Sequence, residues 1–421
     1  MHIKPNRWSP GFSKLLTGET LSAISGSAVT VALPIIAVTQ LRANAFEAAA
    51  MAACAQAAPL LFGLSAGAIA DRLDRRLLLV ACNTVRALIL ILLFTSVLTS
   101  TLNLPLLGIA GFLLSCTQLL SEAVMASAIP ALVKRSQLTW ANGWFQGVGS
   151  TAQAVGPLTA GLTIQWGAMG PLFMATALAH VASCMLFSRL HLNDAQSDAN
   201  EDVADTHLAQ ILQGVIYIWR DRVQRAIAIS TAIFNFFHAA FFAIFPIYAL
   251  TVLDLSPATL GMLFSGAGLA GLVAAMCAER LINRFSIPVT LIGSLFIILP
   301  FSLLVTFGAL TPFPFNAILI VIAFAGWDFA VVLNIVIEQS IRQATVPSDL
   351  VSRASSTQRF VSWGLDPIGA LAGGALAVSP LGLSNALTLS MWGMGLAGLV
   401  LLFSRDIRAL PRAFADDPED E

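Results

Sequence analysis

Residues 67–98 read GAIADRLDRRLLLVACNTVRALILILLFTSVL. The first ten form a short charged turn in which Asp71, Arg72, Asp74, Arg75 and Arg76 crowd together. The 22 that follow, from Leu77 to Leu98, hold one charged side chain, Arg86. About 20 such residues at 1.5 Å each cross the ~30 Å hydrocarbon layer of a bilayer. The stretch therefore predicts a membrane helix entered from a basic turn, and basic turns stay on the cytoplasmic side.

The same texture continues in both directions. The chain has 421 residues, of which 57% are hydrophobic and 11% charged, with a mean hydropathy of +0.82. A soluble domain has about 45–50% apolar and about 25% charged residues. A soluble core cannot absorb this excess, so the composition excludes a soluble enzyme, a nucleic-acid binder and a secreted disulfide scaffold. The apolar runs are continuous, whereas transmembrane β-strands alternate over about ten residues. Twelve spans are predicted, at 14–40, 48–70, 77–98, 103–130, 138–165, 170–189, 226–250, 258–280, 287–309, 314–341, 354–378 and 383–404. With both termini inside, nineteen of the 22 Lys and Arg fall on one side; only Arg42 falls opposite, and Arg86 and Arg359 lie within spans. The reading is an all-α polytopic protein of the inner membrane, with both termini cytoplasmic. No cleavable leader is expected. The five cysteines have no paired spacing and read as small buried hydrophobes.

The halves repeat. Ala32-Leu33-Pro34-Ile35 resembles Ile244-Phe245-Pro246-Ile247 at an offset of 212. Asp71-Arg72-Leu73 resembles Glu279-Arg280-Leu281 at 208, and Gly156, Ala160 and Gly161 match Gly369, Gly373 and Gly374 at 213. Six spans per half keep both halves in one orientation, with a central site between them. The expected domains are an N-terminal six-helix half (1–190), a cytoplasmic linker (191–225), a C-terminal half (226–404) and an acidic cytoplasmic tail (405–421).

Two motifs carry a family resemblance. Gly67, Asp71, Arg72, Arg75 and Arg76 resemble the signature loop of the major facilitator superfamily, with Asp74 where that family usually has Gly. The resemblance implies the two-half major facilitator fold and assigns Asp71 and Arg72 to a gate at the helix end. Gly143, Gly156, Pro157 and Gly161, with Ala152 and Ala160, resemble the glycine-rich motif of its drug:proton antiporters, and the same residues serve close helix packing. Gly18-Glu19-Thr20-Leu21-Ser22 and the 341–374 region resemble the exporter branch that includes macrolide efflux pumps and enterobactin (catecholate siderophore) exporters. The arginine-bearing span-four motif of many proton antiporters is missing.

Ionisable residues inside a membrane are costly and read first as functional. The proton-coupling candidates are Glu122 and Asp328, deepest in the predicted spans, then Glu19 and Asp366. Arg86 is expected to neutralise Glu19 or Glu122, and Arg359 to pair with Glu338. His238, set among phenylalanines, with Asn235 and Asn334, completes the buried polar set. Gly266-Ala267-Gly268-Leu269-Ala270-Gly271 fits a dinucleotide pattern but lies within a span with no strand before it. There is no phosphate-loop motif and no metal spacing, so the expected energy source is the proton gradient, with no cofactor and no metal.

These readings converge on a secondary transporter, not an enzyme. It is expected to export a drug-like compound, a siderophore or another metabolite in exchange for protons, as a monomer, around a cavity lined by spans 1, 4, 7 and 10. The rivals are a proton-coupled nutrient importer and a polytopic membrane enzyme or receptor.

Overall fold

The computed structural model describes residues 9–63, 65–66, 69–70, 73–133, 137–190, 213–308, 310–312, 314–347 and 350–411. Gly67, Asp71 and Arg72 lie outside them, as do most of the expected linker (191–212) and the end of the tail (412–421).

Within the described residues the chain is helical, without strands. The N-terminal half comprises α1 (Pro10–Thr39), α2 (Ala45–Phe62), α3 (Arg75–Leu98), α4 (Leu104–Leu132), α5 (Leu138–Gln165) and α6 (Met169–Ser188). The C-terminal half comprises α7 (Arg222–Thr251), α8 (Pro257–Phe285), α9 (Ile287–Phe296), α10 (Ile298–Gly308), α11 (Phe315–Thr345), α12 (Val351–Gly364), α13 (Asp366–Val378) and α14 (Leu383–Phe403), followed by the one-turn α15 (Arg405–Arg408). Caps start many of them: Ser9 accepts from Phe12 N (3.1 Å) ahead of Pro10, and Asn44 and Glu47 close a capping box on α2. Asp74 accepts from Leu77 N (2.8 Å) and caps α3, a task a glycine side chain cannot perform.

The helix boundaries follow the predicted spans, with three corrections. Span two breaks at Gly63, the cap of α2, and beyond it Ala66, Ile69 and Ala70 are helical again. Span nine breaks at Ile297, one turn before Pro300, whose missing N–H interrupts the hydrogen-bond ladder. Span eleven breaks at Leu365, where Pro367 has no N–H to give to Trp363 O and Leu365 N–H turns to that carbonyl instead. The spans are thus α1 to α8, α9 with α10, α11, α12 with α13, and α14. Eleven are long and apolar enough to cross a membrane by themselves. The other, α5, spans 28 residues but carries Asn142, Gln146, Ser150, Thr151 and Gln153, and it packs between α1 and α8.

The duplication is visible in the packing. A Cβ on Gly156 would lie 2.7 Å from Ser27 of α1, and Gly369 and Gly373 seat in the same way against Phe236 and Ala240 of α7. Ser183 donates to Gly18 O (2.8 Å), tying α6 to α1, and Ser230 donates to Ala397 O (2.9 Å), tying α7 to α14. Positions 18 and 183 become 230 and 397 at offsets of 212 and 214.

Two of the inter-half contacts are symmetry mates. Gly161 of α5 rests on Pro257 and Gly261 of α8, while Gly374 of α13 rests on Ala45 and Ala49 of α2. Both lie at the face opposite the one that gathers the start of α1, the end of α6 and the ends of α14 and α15. At that second face Lys14 Nζ donates to Arg189 O (3.1 Å) and Arg222 reaches Asp406 (4.0 Å). Toward it α5 leaves α8. Gln153 still touches Gly268, but a Cβ on Gly149, Gly147 or Gly143 would meet no described atom within 4 Å. The halves are shut at one face and parted at the other.

Candidate functional site

The gap between the halves is a cavity of about 1330 Å³. Its floor includes Leu33, Leu107 and Pro246, near the shut face, and its mouth includes Ile129 and Phe145. Helices α1, α4, α7 and α11 line it as expected, and α2, α5, α8, α12 and α13 also contribute, through Met51, Gln153, Phe264, Trp363 and Asp366.

The N-terminal wall is charged. Arg86 of α3 is 4% exposed and is held by four bonds: Nε to Thr117 Oγ1 (2.9 Å), Nη1 to Ser22 Oγ (2.7 Å), and Nη2 to Gln118 Oε1 (3.1 Å) and Ser121 Oγ (3.0 Å). Gln118 turns its amide N–H to Glu122 Oε1 (2.8 Å). Glu19 and Glu122 both interact electrostatically with Arg86. The expected neutralisation is therefore indirect: Arg86 spends its donors on hydroxyls and an amide, and Gln118 bridges it to Glu122. Glu122 is exposed to the cavity, whereas Glu19 is half-buried in its wall. That reverses the depth order read from the spans, because the cavity brings solvent to the middle of α4. Behind Arg86, His180 Nδ1 meets Asn83 Oδ1 (3.0 Å), and His180 also lines the cavity.

The C-terminal wall is aromatic. His238 packs between Phe234 (ring centroids 5.5 Å apart) and Phe242 (4.5 Å), with Trp327 at 6.0 Å. Phe264 and Phe324 extend the box. Asp328 follows Trp327 and faces the backbone of Gly271, where a Cβ would come 2.5 Å from its Oδ2. Gly271 belongs to the dinucleotide-like run, and it packs as read from sequence, as does Gly268 against Gln153, whereas a Cβ on Gly266 would meet no described atom within 4 Å. Among the described residues, Trp327 Nε1 and Asp366 Oδ1 are buried without a partner.

The offset of 212 exposes what each half added. His238, Phe242, Phe264 and Trp327 correspond to Gly26, Thr30, Ala52 and Ser115, and all eight line the cavity. Ser22, Thr117, Gln118 and Ser121 correspond to Phe234, Phe329, Ala330 and Leu333. At these matching positions one wall is small and polar, the other large and aromatic.

Several expected site residues lie elsewhere. Asn334 donates to Ser294 Oγ (3.0 Å), tying α11 to α9 away from the cavity. Arg359 is exposed and not part of the cavity wall; Glu338 meets Thr231 Oγ1 (2.9 and 3.2 Å) and interacts with Arg342 instead. Asn235 is half-buried on α7 outside the wall. A Cβ on Gly143 would meet no described atom within 4 Å, so among the described residues the packing motif of α5 reduces to Gly156, Pro157 and Gly161. Of the gate motif, Arg75 and Arg76 begin α3, half-buried and exposed respectively. The cysteines are free, and of the five expected to be buried only Cys82 is; Cys116, Cys184 and Cys277 are half-buried and Cys54 is exposed. Thr117, Gln118 and Ser121 were missed in the sequence; their spacing of one to four residues on α4 was the available signal.

Arg86→Lys is expected to cost about 1–3 kcal/mol, since an ammonium cannot reproduce a four-bond fork. Arg86→Met should cost more, and adding Glu19→Gln to it should restore part of the loss. Thermal unfolding in detergent measures each.

The sequence profile of the Major Facilitator Superfamily matches residues 15–365. The multidrug efflux pump Tap of Mycolicibacterium fortuitum is 25% identical over 410 residues, covering 95% of this chain and 97% of that protein. Among solved structures, the D323A mutant of nucleoside transporter NupG has a TM-score of 0.73 at 15% identity, covering 94% of this chain and 99% of the other. A bacterial homologue of iron transporter ferroportin in its inward-facing state also scores 0.73, at 14% identity and with 95% and 98% covered.

Proposed function

The chain belongs to the Major Facilitator Superfamily, and from that premise we propose that it is a proton-coupled exporter of amphipathic, drug-like compounds. It is a multi-pass membrane transporter and not an enzyme. The observation that carries the finer reading is the unequal cavity wall. A coupled exporter needs carboxylates that exchange protons as access alternates, and Glu19, Glu122, Asp328 and Asp366 all line this cavity. It also needs an adaptable apolar surface, which the His238–Phe242–Phe264–Phe324–Trp327 box supplies. Among the described residues Arg86 is the one Lys or Arg in the wall, and four of its five N–H donors are taken. The balance is acidic, so it favours neutral or cationic substrates over an anionic siderophore, and cations gain further from aromatic faces. The relative Tap, a multidrug efflux pump, supports the outward direction.

Glu122 and Asp328 are the coupling carboxylates, with Glu19 and Asp366 as partners in the relay. The six-helix halves are the moving bodies and 191–225 is their cytoplasmic tether. Both termini are cytoplasmic in the inner membrane, so the parted face opens inward; Gly67, Asp71, Arg72, Arg75 and Arg76 would gate it on closure. A single chain encloses the whole cavity, so the monomer is the working unit.

Inverted membrane vesicles provide the test. Acidifying their lumen should drive an aromatic cationic dye inward, and a protonophore should stop it. Energy-dependent dye uptake by whole cells would instead favour the importer, and activity that survives collapse of the gradient would favour an enzyme or receptor.

A further inference from the structure

A second cavity, of about 280 Å³, lies outside the bundle between α7 and α12. Trp219, Ile229, Ala232, Ile233, Val361 and Leu365 are among its apolar walls, and Trp219 and Ile229 are exposed. Such an apolar surface on a membrane protein meets lipid. What distinguishes this one is its rim. Arg225, Ile229, Ala232 and Phe236 follow each other at helical spacing on one face of α7. The stripe therefore runs from a cation into an apolar groove. Arg225 Nη1 donates to Trp219 O (3.0 Å), which fixes it at the mouth, and Arg220 is exposed beside it. The acids nearby are engaged: Asp221 accepts from Gln224 N (2.7 Å) and Asp406 lies 4.0 Å from Arg222. From Arg225 to Phe236 the helix rises about 17 Å, roughly one leaflet of hydrocarbon. The groove is too small for a partner helix, which needs a channel about 10 Å across. At the offset of 212, the matching stripe of α1 is Ser13, Thr17, Thr20 and Ile24, without a cation, so the feature belongs to the C-terminal half alone.

We infer that this crevice binds an anionic phospholipid, one acyl chain lying along α7 and α12 and the phosphate resting on Arg220 and Arg225, with the Trp219 indole at the glycerol level. The site is independent of the export reading.

Native mass spectrometry of the purified protein tests it, using phosphatidylglycerol and phosphatidylcholine with identical chains. The wild type should retain phosphatidylglycerol roughly tenfold more strongly. Arg220→Ser with Arg225→Ser should abolish that preference, and Ala232→Phe, which fills the groove and spares the arginines, should abolish retention. Glycerophosphoglycerol, the headgroup without chains, should not compete. Equal retention of the two lipids by the wild type overturns the assignment, whether or not the variants fold. So does undiminished phosphatidylglycerol on Ala232→Phe, or displacement by the chain-free headgroup.

Discussion

Glu122→Gln together with Asp328→Asn is expected to reduce proton-driven efflux to background while leaving a folded protein in the membrane. The two carboxylates face one cavity from opposite halves, Glu122 on α4 and Asp328 on α11. Each neutral amide keeps the shape and removes only the exchangeable proton and the charge. Glu122→Gln preserves an acceptor for Gln118, so the Arg86 network should survive and thermal stability should change little. Asp328→Asn keeps an acceptor for the Gly271 backbone. The decisive comparison is between coupled and passive transport. With the pH gradient removed, the double variant should still equilibrate dye down its concentration gradient. Full gradient-driven pumping by the double variant would remove both residues from the coupling role.

The second large effect belongs to the shut face. Gly161→Val or Gly261→Val is expected to prevent that face from closing. The two helices meet there backbone to backbone. A Cβ on Gly161 would lie 2.5 Å from Pro257 O, and Gly261 presses reciprocally on Pro157 O. Carbonyl oxygens fixed in a helix cannot step aside as a flexible side chain can. Overpacking of this kind costs about 1–3 kcal/mol, which shifts a two-state balance roughly 5- to 150-fold. Transport should collapse, and the cavity floor should become reachable from the side opposite the chain termini. A cysteine placed at Leu33, in a background with the five native cysteines replaced, reports this through an impermeant maleimide. Labelling equal to that of the parent, with normal transport, would show that the Gly161–Gly261 contact is not a closure point.

Much of this architecture was legible in the residues. Bilayer physics makes the code coarse: a span must be about 20 apolar residues, so the helix boundaries could be read within a few positions. The duplication was legible because backbone-to-backbone packing demands glycine at fixed places, and Gly156, Gly161, Gly369, Gly373 and Gly374 all meet a neighbouring helix. What stayed hidden depended on rotation about a helix axis. Asn334 and Asp328 lie on the same helix, yet one ties α11 to α9 while the other faces the cavity. Linear spacing cannot separate them without knowing which neighbour covers which face. Arg359 was misread for a related reason: a charge counted inside a span sits on the exposed side of α12, which ends at Gly364. The clustering of Ser22, Thr117, Gln118 and Ser121 around Arg86 was harder still. It joins α1, α3 and α4 across as many as 99 residues (22 to 121), each with an unremarkable polar side chain.

The polarity of α5 carries a consequence for synthesis. Among the described residues, this is the one span whose helix is not long and apolar enough, by length and composition, to cross a membrane by itself. Its small and polar residues are stable in the membrane because α1 already lies against them and α8 later covers the other flank. Its lateral release is therefore expected to wait for chain made afterwards, which would make the nascent N-terminal half a client to be held, rather than a finished unit, until ribosomes have passed the codons for α8.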